Sequence, residues 1–160
     1  MTERDPTTEI YRRYLAAVVR FHLRAAEAAG LGPTDYQAAS LLELDGPTTA
    51  GALGRRLGLT PGSATRVVDR LVAAGLARRV PDPGDRRRVL VEHTGVLPPG
   101  LTEILDRVRE PIGAAVADLS SSERAGLVRY LTVAERAYRD ALECSPDGMI
   151  EESTTWGRHE

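Results

Sequence analysis

The stretch that decides the fold is residues 57–91, which read LGLTPGSATRVVDRLVAAGLARRVPDPGDRRRVLV. Near its start, Thr60 and Pro61 form a pair that is typical of a helix N-terminus, because threonine caps the first turn and proline fits the first helical position. Gly75 is typical of the residue that follows a helix C-terminus. The pattern therefore predicts a helix over residues 62–74.

A shorter helix is predicted directly before this one. Thr48 or Thr49 can cap it, residues 50–57 form it, and Gly58 ends it. Two short helices joined by such a tight, glycine-containing connection indicate a helix-turn-helix.

The helix over residues 62–74 is predicted to have an apolar face and a polar face. Ser63, Arg66 and Arg70 fall on the outer face, and Gly62 and Ser63 would allow backbone amides of the first turn to approach a phosphate. Such a helix fits the DNA major groove, where arginine can donate two hydrogen bonds to one guanine. A solvated amphipathic helix would show the same basic face. The residues predicted to pack inward are Ala64, Val68, Leu71, Val72 and Gly75.

Beyond this helix the pattern changes to two short strands, residues 76–80 and 89–93. The eight residues between them make a long hairpin connection, because about two to five residues are usual. This loop ends in Arg86, Arg87 and Arg88. Since narrow A·T-rich minor grooves attract inserted arginine side chains, the loop is predicted to reach nucleic acid. The alternative is a solubilising surface loop.

Three acidic residues are expected to position the arginines of this loop. Asp82 and Asp85 lie within the loop, and Asp69 lies on the preceding helix. Salt bridges from these carboxylates would fix the directions of the guanidinium groups.

The charge of the chain is distributed unevenly. Residues 51–93 contain nine arginines and four acidic residues, a net charge of +5, whereas the whole chain has a net charge of −2. A basic block in an acidic chain indicates a surface that binds a polyanion.

The flanking segments are predicted to be helical. An apolar stripe predicts one helix over about residues 8–29, and Thr34 is expected to cap a second that ends near residues 45–47. Two further helices are predicted over residues 101–117 and 122–142, the last with Ser121 or Ser122 as its cap. The fold class is therefore mainly α with a small β-hairpin.

Composition limits the kind of protein further. A chain of 160 residues has room for one domain, or for one small domain with an oligomerisation extension. It shows no apolar run of about 18 residues and no signal-peptide pattern, so no membrane association is expected. A single cysteine, Cys144, excludes an internal disulfide and favours a reducing compartment, which predicts a cytoplasmic location.

The stretch from residue 57 to residue 91 resembles the signature region of the MarR (multiple antibiotic resistance regulator) family, a family of winged helix-turn-helix regulators. The likeness in helix order extends from about residue 8 to residue 143. The motifs that carry it are Thr60-Pro61, Thr65-Arg66, Val68-Asp69-Arg70-Leu71, Gly75-Leu76 and Asp85-Arg86-Arg87.

This resemblance implies a winged helix-turn-helix lobe together with dimerisation helices from both termini. The expected divisions are residues 1–33 and 96–144 for dimerisation, 34–95 for the DNA-binding lobe, and 145–160 for a polar tail. Members are homodimers that bind pseudo-palindromic operators in duplex DNA, most often as repressors, with their wings in the minor groove.

The resemblance also implies particular binding residues. Those of the recognition helix would be Thr60, Gly62, Ser63, Thr65, Arg66 and Arg70, and those of the wing would be Asp85, Arg86, Arg87 and Arg88. Many members release DNA when a small, often aromatic, effector enters a cleft beside the DNA-binding lobe. His22 and Tyr36 are candidates for lining that cleft, and ordinary packing residues are the alternative. The segment of residues 93–100 is longer than the linker that family members usually have between the second wing strand and the fifth helix. This departure concerns the hinge through which an effector would act.

The sequence argues against two other classes of function. An enzyme is not expected, because the three histidines are scattered and the sequence has no metal-ligand spacing, nucleotide-binding glycine loop or nucleophile motif. No catalytic residue, metal or cofactor is therefore predicted, and Cys144 is interpreted as inert and not as a redox sensor. The second alternative is a winged-helix dimer that binds protein and not DNA, against which the arginine-rich loop argues.

Overall fold

The computed structural model describes residues 5–143. Within this range the chain forms six helices and one antiparallel sheet of two strands. This confirms the prediction of a mainly α fold with a small β-hairpin. In chain order the elements are α1 (Pro6–Ala28), α2 (Pro33–Asp45), α3 (Ala50–Arg56), α4 (Pro61–Ala73), β1 (Ala77–Pro81), β2 (Val89–His93), α5 (Pro99–Ala117) and α6 (Ser121–Glu143).

Two helix caps differ from those predicted. Helix α2 begins at Pro33 after Gly32 and has no side-chain cap, so the prediction that Thr34 caps it is wrong. Proline already occupies the first helical position, which needs no hydrogen-bond donor. Helix α6 is capped by Ser120, not by Ser121 or Ser122: the Glu123 amide donates to Ser120 Oγ over 3.4 Å, and the Ser120 amide donates to Glu123 Oε2 over 2.9 Å. This reciprocal pair is a capping box.

The two strands form a hairpin that is joined to the chain before α3. Ala77 pairs with His93 and Pro81 with Val89, so β1 lies one residue further along the chain than predicted. Val91 also exchanges two backbone hydrogen bonds with Thr48, over 2.7 and 3.0 Å. The base of the hairpin is therefore held beside the helix-turn-helix.

The main core lies between α2, α3, α4 and the hairpin. Helix α4 contributes Val67, which the helical-wheel prediction omitted, whereas Val72 is half-buried and Gly75 is exposed. The inward position predicted for Gly75 is therefore wrong, because the glycine lies beyond the end of the helix with a φ of 71°. The buried members of this core are Ala38, Ala39, Leu42, Leu53, Val67, Val68, Leu71, Leu76, Ala77 and Val91.

A smaller core joins α1, α2 and the start of α5. Ala25, Ala26, Tyr36 and Leu101 are buried there. Gly100 lies so close to the end of α1 that an added Cβ would be 2.9 Å from the carbonyl oxygen of Ala28. This contact requires glycine at the point where α5 meets α1.

The chain divides into two compact units, Met1–Arg109 and Glu110–Glu160. The first contains the helix-turn-helix and the hairpin. In the described part of the second unit, no residue from 110 to 142 is buried, although α6 carries several large apolar side chains. The division into binding, dimerisation and tail segments stays a prediction.

Candidate nucleic-acid interface

Helices α3 and α4 form the predicted helix-turn-helix, and local hydrogen bonds fix both helix starts. Thr49 Oγ1 accepts a hydrogen bond from the Ala52 amide over 3.2 Å, and Thr60 Oγ1 accepts one from the Ser63 amide over 3.3 Å. Gly58 between them adopts a φ of 63°, a conformation that L side chains rarely adopt. The tight turn therefore depends on this glycine.

The exposed face of α4 presents polar groups beginning at its first turn. An added Cβ on Gly62 would meet no atom within 4 Å, so the backbone there is open to a ligand. Thr65 Oγ1 donates to the Pro61 carbonyl over 3.1 Å. Arg66 Nη2 lies 3.3 Å from Ser63 Oγ, and Arg66 itself is exposed. The helix N-terminus and Arg66 together offer an anion both amide donors and a guanidinium group.

Arg70 lies on α4 but is engaged with α2. Its Nε and Nη2 donate to the two carboxylate oxygens of Asp35 over 2.7 and 2.6 Å. The hydrogen bond to Asp35 raises the pKa of Arg70 above its ordinary value. Two of the guanidinium donors of Arg70 are thus occupied within the protein, whereas Arg66 has no ion pair with any carboxylate of the described residues.

The wing loop, residues 82–88, connects β1 to β2. Asp82 Oδ1 accepts from the Gly84 amide over 2.8 Å, and Asp85 Oδ1 accepts from the Arg87 amide over 3.0 Å. The Asp82 carboxylate also lies 3.7 Å from the Arg88 guanidinium. Among the described residues, the Asp82 salt bridge to Arg88 is the one ion pair of a loop arginine. The expectation that salt bridges from Asp85 position the loop arginines is wrong, because Asp85 binds the loop backbone.

Asp69 does not reach the wing arginines. It accepts a hydrogen bond from Arg79 Nη2 over 2.6 Å, so it joins α4 to β1. The expectation that Asp69 helps to position the arginines of the loop is wrong, because Arg79 lies nearer along the hairpin and takes its carboxylate.

The nine arginines of the basic block fall into two groups. Five of them lie within 4.0 Å of a carboxylate: Arg56, Arg70, Arg78, Arg79 and Arg88. Within the described part of the chain, the other four have no ion pair at that distance, and they are Arg55 and Arg66 on the helix-turn-helix and Arg86 and Arg87 at the loop. Within the basic block, the arginines without an ion pair therefore lie on the two elements predicted to bind nucleic acid.

Two residues of this region were not singled out by sequence reasoning. Arg55 on α3 belongs to the basic block but had no predicted role; in the structure it is exposed and has no ion pair among the described residues. No local sequence pattern indicates a role for Asp35, because its partner, Arg70, lies 35 residues further along the chain.

His22 and Tyr36, the two candidates for an effector cleft, are in contact. His22 Nδ1 lies 3.0 Å from Tyr36 Oη, and the ring centroids are 5.7 Å apart. Burial raises the pKa of Tyr36 and nearby Glu43 adds to this, while Arg109 and a hydrogen bond with Ser40 act in the opposite direction. Whether the pair lines a ligand site stays a prediction.

The remaining predictions concern Cys144, the polar tail and membrane association. Cys144 and the polar tail lie outside the described residues. Among residues 5–143, no helix has the length and apolar character needed to cross a membrane.

Comparison with known proteins gives a consistent assignment. A family model described as MarR family matches residues 29–88, which include the helix-turn-helix and the wing. The HTH-type transcriptional regulator YcgE of Bacillus subtilis is 48% identical over 83 residues, and this match covers 52% of the present chain and 54% of YcgE. The match thus spans about half the length of that relative. YkoM of Bacillus subtilis, also an HTH-type transcriptional regulator, is 30% identical over 122 residues, or 76% of this chain and 79% of YkoM.

Solved structures show the same fold over more of the chain. The transcriptional regulator Tm0710 of Thermotoga maritima superposes with a TM-score of 0.59 at 23% identity, covering 88% of this chain and 99% of its own. Rv1404 of Mycobacterium tuberculosis gives a TM-score of 0.54 at 27% identity, with 86% and 97% covered. Because the family model matches the helix-turn-helix and the match to YkoM extends across most of both chains, this protein belongs to the MarR family of transcriptional regulators.

Proposed function

We propose that this protein binds duplex DNA in a sequence-specific manner and regulates transcription by doing so. The observation that carries the proposal is the position of the four arginines of the basic block that have no ion pair within the described part of the chain. Arg55 and Arg66 lie on the helix-turn-helix, and Arg86 and Arg87 lie at the wing loop. Exposed guanidinium groups that have no carboxylate partner within the described chain favour binding to an external polyanion.

In this proposal α4 enters the major groove. Arg66 is the best candidate for reading a base, because its guanidinium is exposed and can donate two parallel hydrogen bonds to guanine. Ser63, Thr65 and the open backbone at Gly62 would contact the DNA backbone near the N-terminus of the helix. Arg55 on α3 is proposed as a phosphate contact.

The wing loop is proposed to enter the minor groove. Arg86 and Arg87 are exposed, and Asp85 supports the backbone that presents them. Insertion of arginine into a narrow minor groove reads the shape of the DNA and not its base edges. The wing would therefore contribute affinity and a preference for A·T-rich flanks.

We further propose that the protein acts as a homodimer on a pseudo-palindromic operator, as a repressor. Large apolar side chains are exposed on α1 and, in the second unit, on α6. Ile10 and Val19 are 68% and 59% exposed, and Val128 and Val133 are 57% and 64% exposed. Burial of such side chains against a second copy would be favourable at about 25 cal/mol for each Å² removed from water.

Two further elements complete the proposal. A small aromatic effector would bind near His22 and Tyr36 and release the DNA, and the protein would act in the cytoplasm. The role is one of binding and not of catalysis, so no cofactor enters it.

A salt-dependent binding titration tests this function. Labelled duplexes from the intergenic DNA beside the gene would be titrated with protein, and fluorescence anisotropy would give the dissociation constant at several salt concentrations. For a DNA-binding protein, the logarithm of the binding constant should fall linearly with the logarithm of the salt concentration. The slope of this line, the salt slope, should be about −0.9 for each phosphate that the protein neutralises. The alternative, a winged-helix dimer that binds only protein, would show no duplex binding even at low salt.

A further inference from the structure

Asp35 is the one charged residue that is buried among those whose burial the structure describes. It lies in the first turn of α2 and is 7% exposed. Both of its carboxylate oxygens accept hydrogen bonds from Arg70 on α4, over 2.6 and 2.7 Å. A buried carboxylate is costly unless its charge and its hydrogen bonds are matched. This two-point contact therefore ties α4 to α2 with little freedom to rotate.

The first turn of α2 is itself held in place from the other side. The residue after Asp35 is Tyr36, whose hydroxyl lies 3.0 Å from Nδ1 of His22 on α1. Just before α2, the Leu31 amide donates to the Ala26 carbonyl over 2.9 Å. Two consecutive side chains of α2 thus reach two different helices, so this turn is a fixed reference point for α4.

We propose that Asp35 is a positioning residue for DNA recognition, and that Arg70 acts through Asp35 to orient α4 instead of reading a base. The inference rests on the proposed function, because it assigns a role within DNA binding. It also revises the sequence-based expectation for Arg70, whose Nε and Nη2 are directed to α2.

Electrostatics makes the two roles of Arg70 distinguishable. Removal of a carboxylate makes a protein more attractive to DNA phosphates. Asp35→Asn would also free the Arg70 guanidinium, so a base-reading Arg70 predicts unchanged or tighter binding. A positioning pair predicts the opposite, namely weaker binding despite the gain in positive charge.

The probe for the test is a duplex that the wild-type protein selects from a random-sequence library. Fluorescence anisotropy would compare wild type with Asp35→Asn and with the double variant D35N/R70Q, which contains no unpaired buried charge. Both variants should bind the selected duplex about tenfold to hundredfold more weakly, a loss comparable to one mismatched base pair. The salt slope of the double variant should equal that of wild type, because no phosphate contact is lost.

The control is Asp45→Asn, which removes an ion pair at the other end of α2. Asp45 accepts from Arg56 over 2.6 Å, and both side chains are about half exposed, at 46% and 44%. This variant should bind the selected duplex at least as tightly as wild type. All titrations would be made well below the lowest melting temperature of the set, as measured by circular dichroism.

The possible failures are distinct. If wild type selects no duplex and binds none at low salt, the proposed function fails and the inference with it. If wild type binds and Asp35→Asn binds equally or more tightly, only the inference is overturned. A decrease of about 0.9 in the magnitude of the salt slope for the double variant would instead assign Arg70 to a phosphate contact, and would also overturn it.

Discussion

Gly54 on α3 and Ala64 on α4 touch where the two helices of the helix-turn-helix cross. A Cβ added at Gly54 would lie 2.5 Å from the Cβ of Ala64, which is 3% exposed. Gly54→Ala should therefore force the helices apart and lower the free energy of unfolding by about 1–3 kcal/mol, the usual cost of overpacking. Chemical denaturation would measure this change.

Gly51 provides a matched control on the same helix. An added Cβ there would meet only Arg55 Nη1, at 3.9 Å. Gly51→Ala should raise the free energy of unfolding by about 0.5–1 kcal/mol, because alanine loses less backbone entropy on forming a helix. Equal effects of the two substitutions would contradict the close contact.

Arg66→Ala should weaken operator binding by about 1–3 kcal/mol and relax the preference for one base pair, if this side chain reads a base. The guanidinium is exposed and has no carboxylate partner in the described chain. Selection of duplexes from a random library by wild type and variant would reveal both effects. Arg139→Ala, which removes an exposed pair with Glu135 on α6, should leave selection unchanged. Identical selected sequences for Arg66→Ala and wild type would refute the role of Arg66.

Arg87→Ala should act differently from Arg66→Ala. The wing loop is proposed to contact the minor groove and the phosphates, so removal of the Arg87 side chain should lower the affinity for all duplexes. The magnitude of the salt slope should decrease by about 0.9. The preference at major-groove positions should remain. Anisotropy titrations on a selected and on a random duplex would separate the two effects, and a variant with the salt slope of wild type would count against the wing.

The sequence allowed prediction of those elements that depend on local signals. Thr60, Pro61 and Gly58 determine their turns through neighbours within a few residues, so the helix-turn-helix and its boundaries followed from the pattern to within one residue. The cap of α6 was misplaced by one or two residues, because three consecutive serines offer equivalent caps and the contact with Glu123 selects Ser120.

Side-chain pairing across the fold could not be predicted in the same way. Nine arginines and four acidic residues within residues 51–93 allow many pairings, and the observed ones depend on which backbones are adjacent. Asp69 pairs with Arg79 because α4 leads directly into β1. Asp35 pairs with Arg70 because α2 packs against α4, a contact that no local pattern encodes.

A single substitution in the second unit of the full chain tests the oligomeric state. Val128→Glu on α6 should abolish the proposed dimer, because a charged group would replace an apolar side chain at the interface. Sedimentation equilibrium should then give the 17.3 kDa mass of one chain, against twice that mass for wild type. Leu44→Glu is the control, since Leu44 is 80% exposed but lies on α2. A dimeric Val128→Glu variant, or a monomeric wild type, would contradict the proposed assembly.

The capping box of α6 should make its stability depend on pH in the acidic range. The Ser120 hydroxyl, followed by the Ser120 amide, lowers the pKa of Glu123 below its ordinary value of 4.5. A carboxylate whose pKa is lower in the folded state stabilises that state at pH values above 4.5, and this contribution disappears as the pH falls through the folded-state pKa. Carbon-detected NMR titration of the Glu123 carboxyl group should therefore give a pKa below 4.5 in wild type. In Ser120→Ala the pKa should rise toward 4.5, because the hydroxyl makes the largest contribution. A wild-type value at or above 4.5 would show that the box does not form in solution.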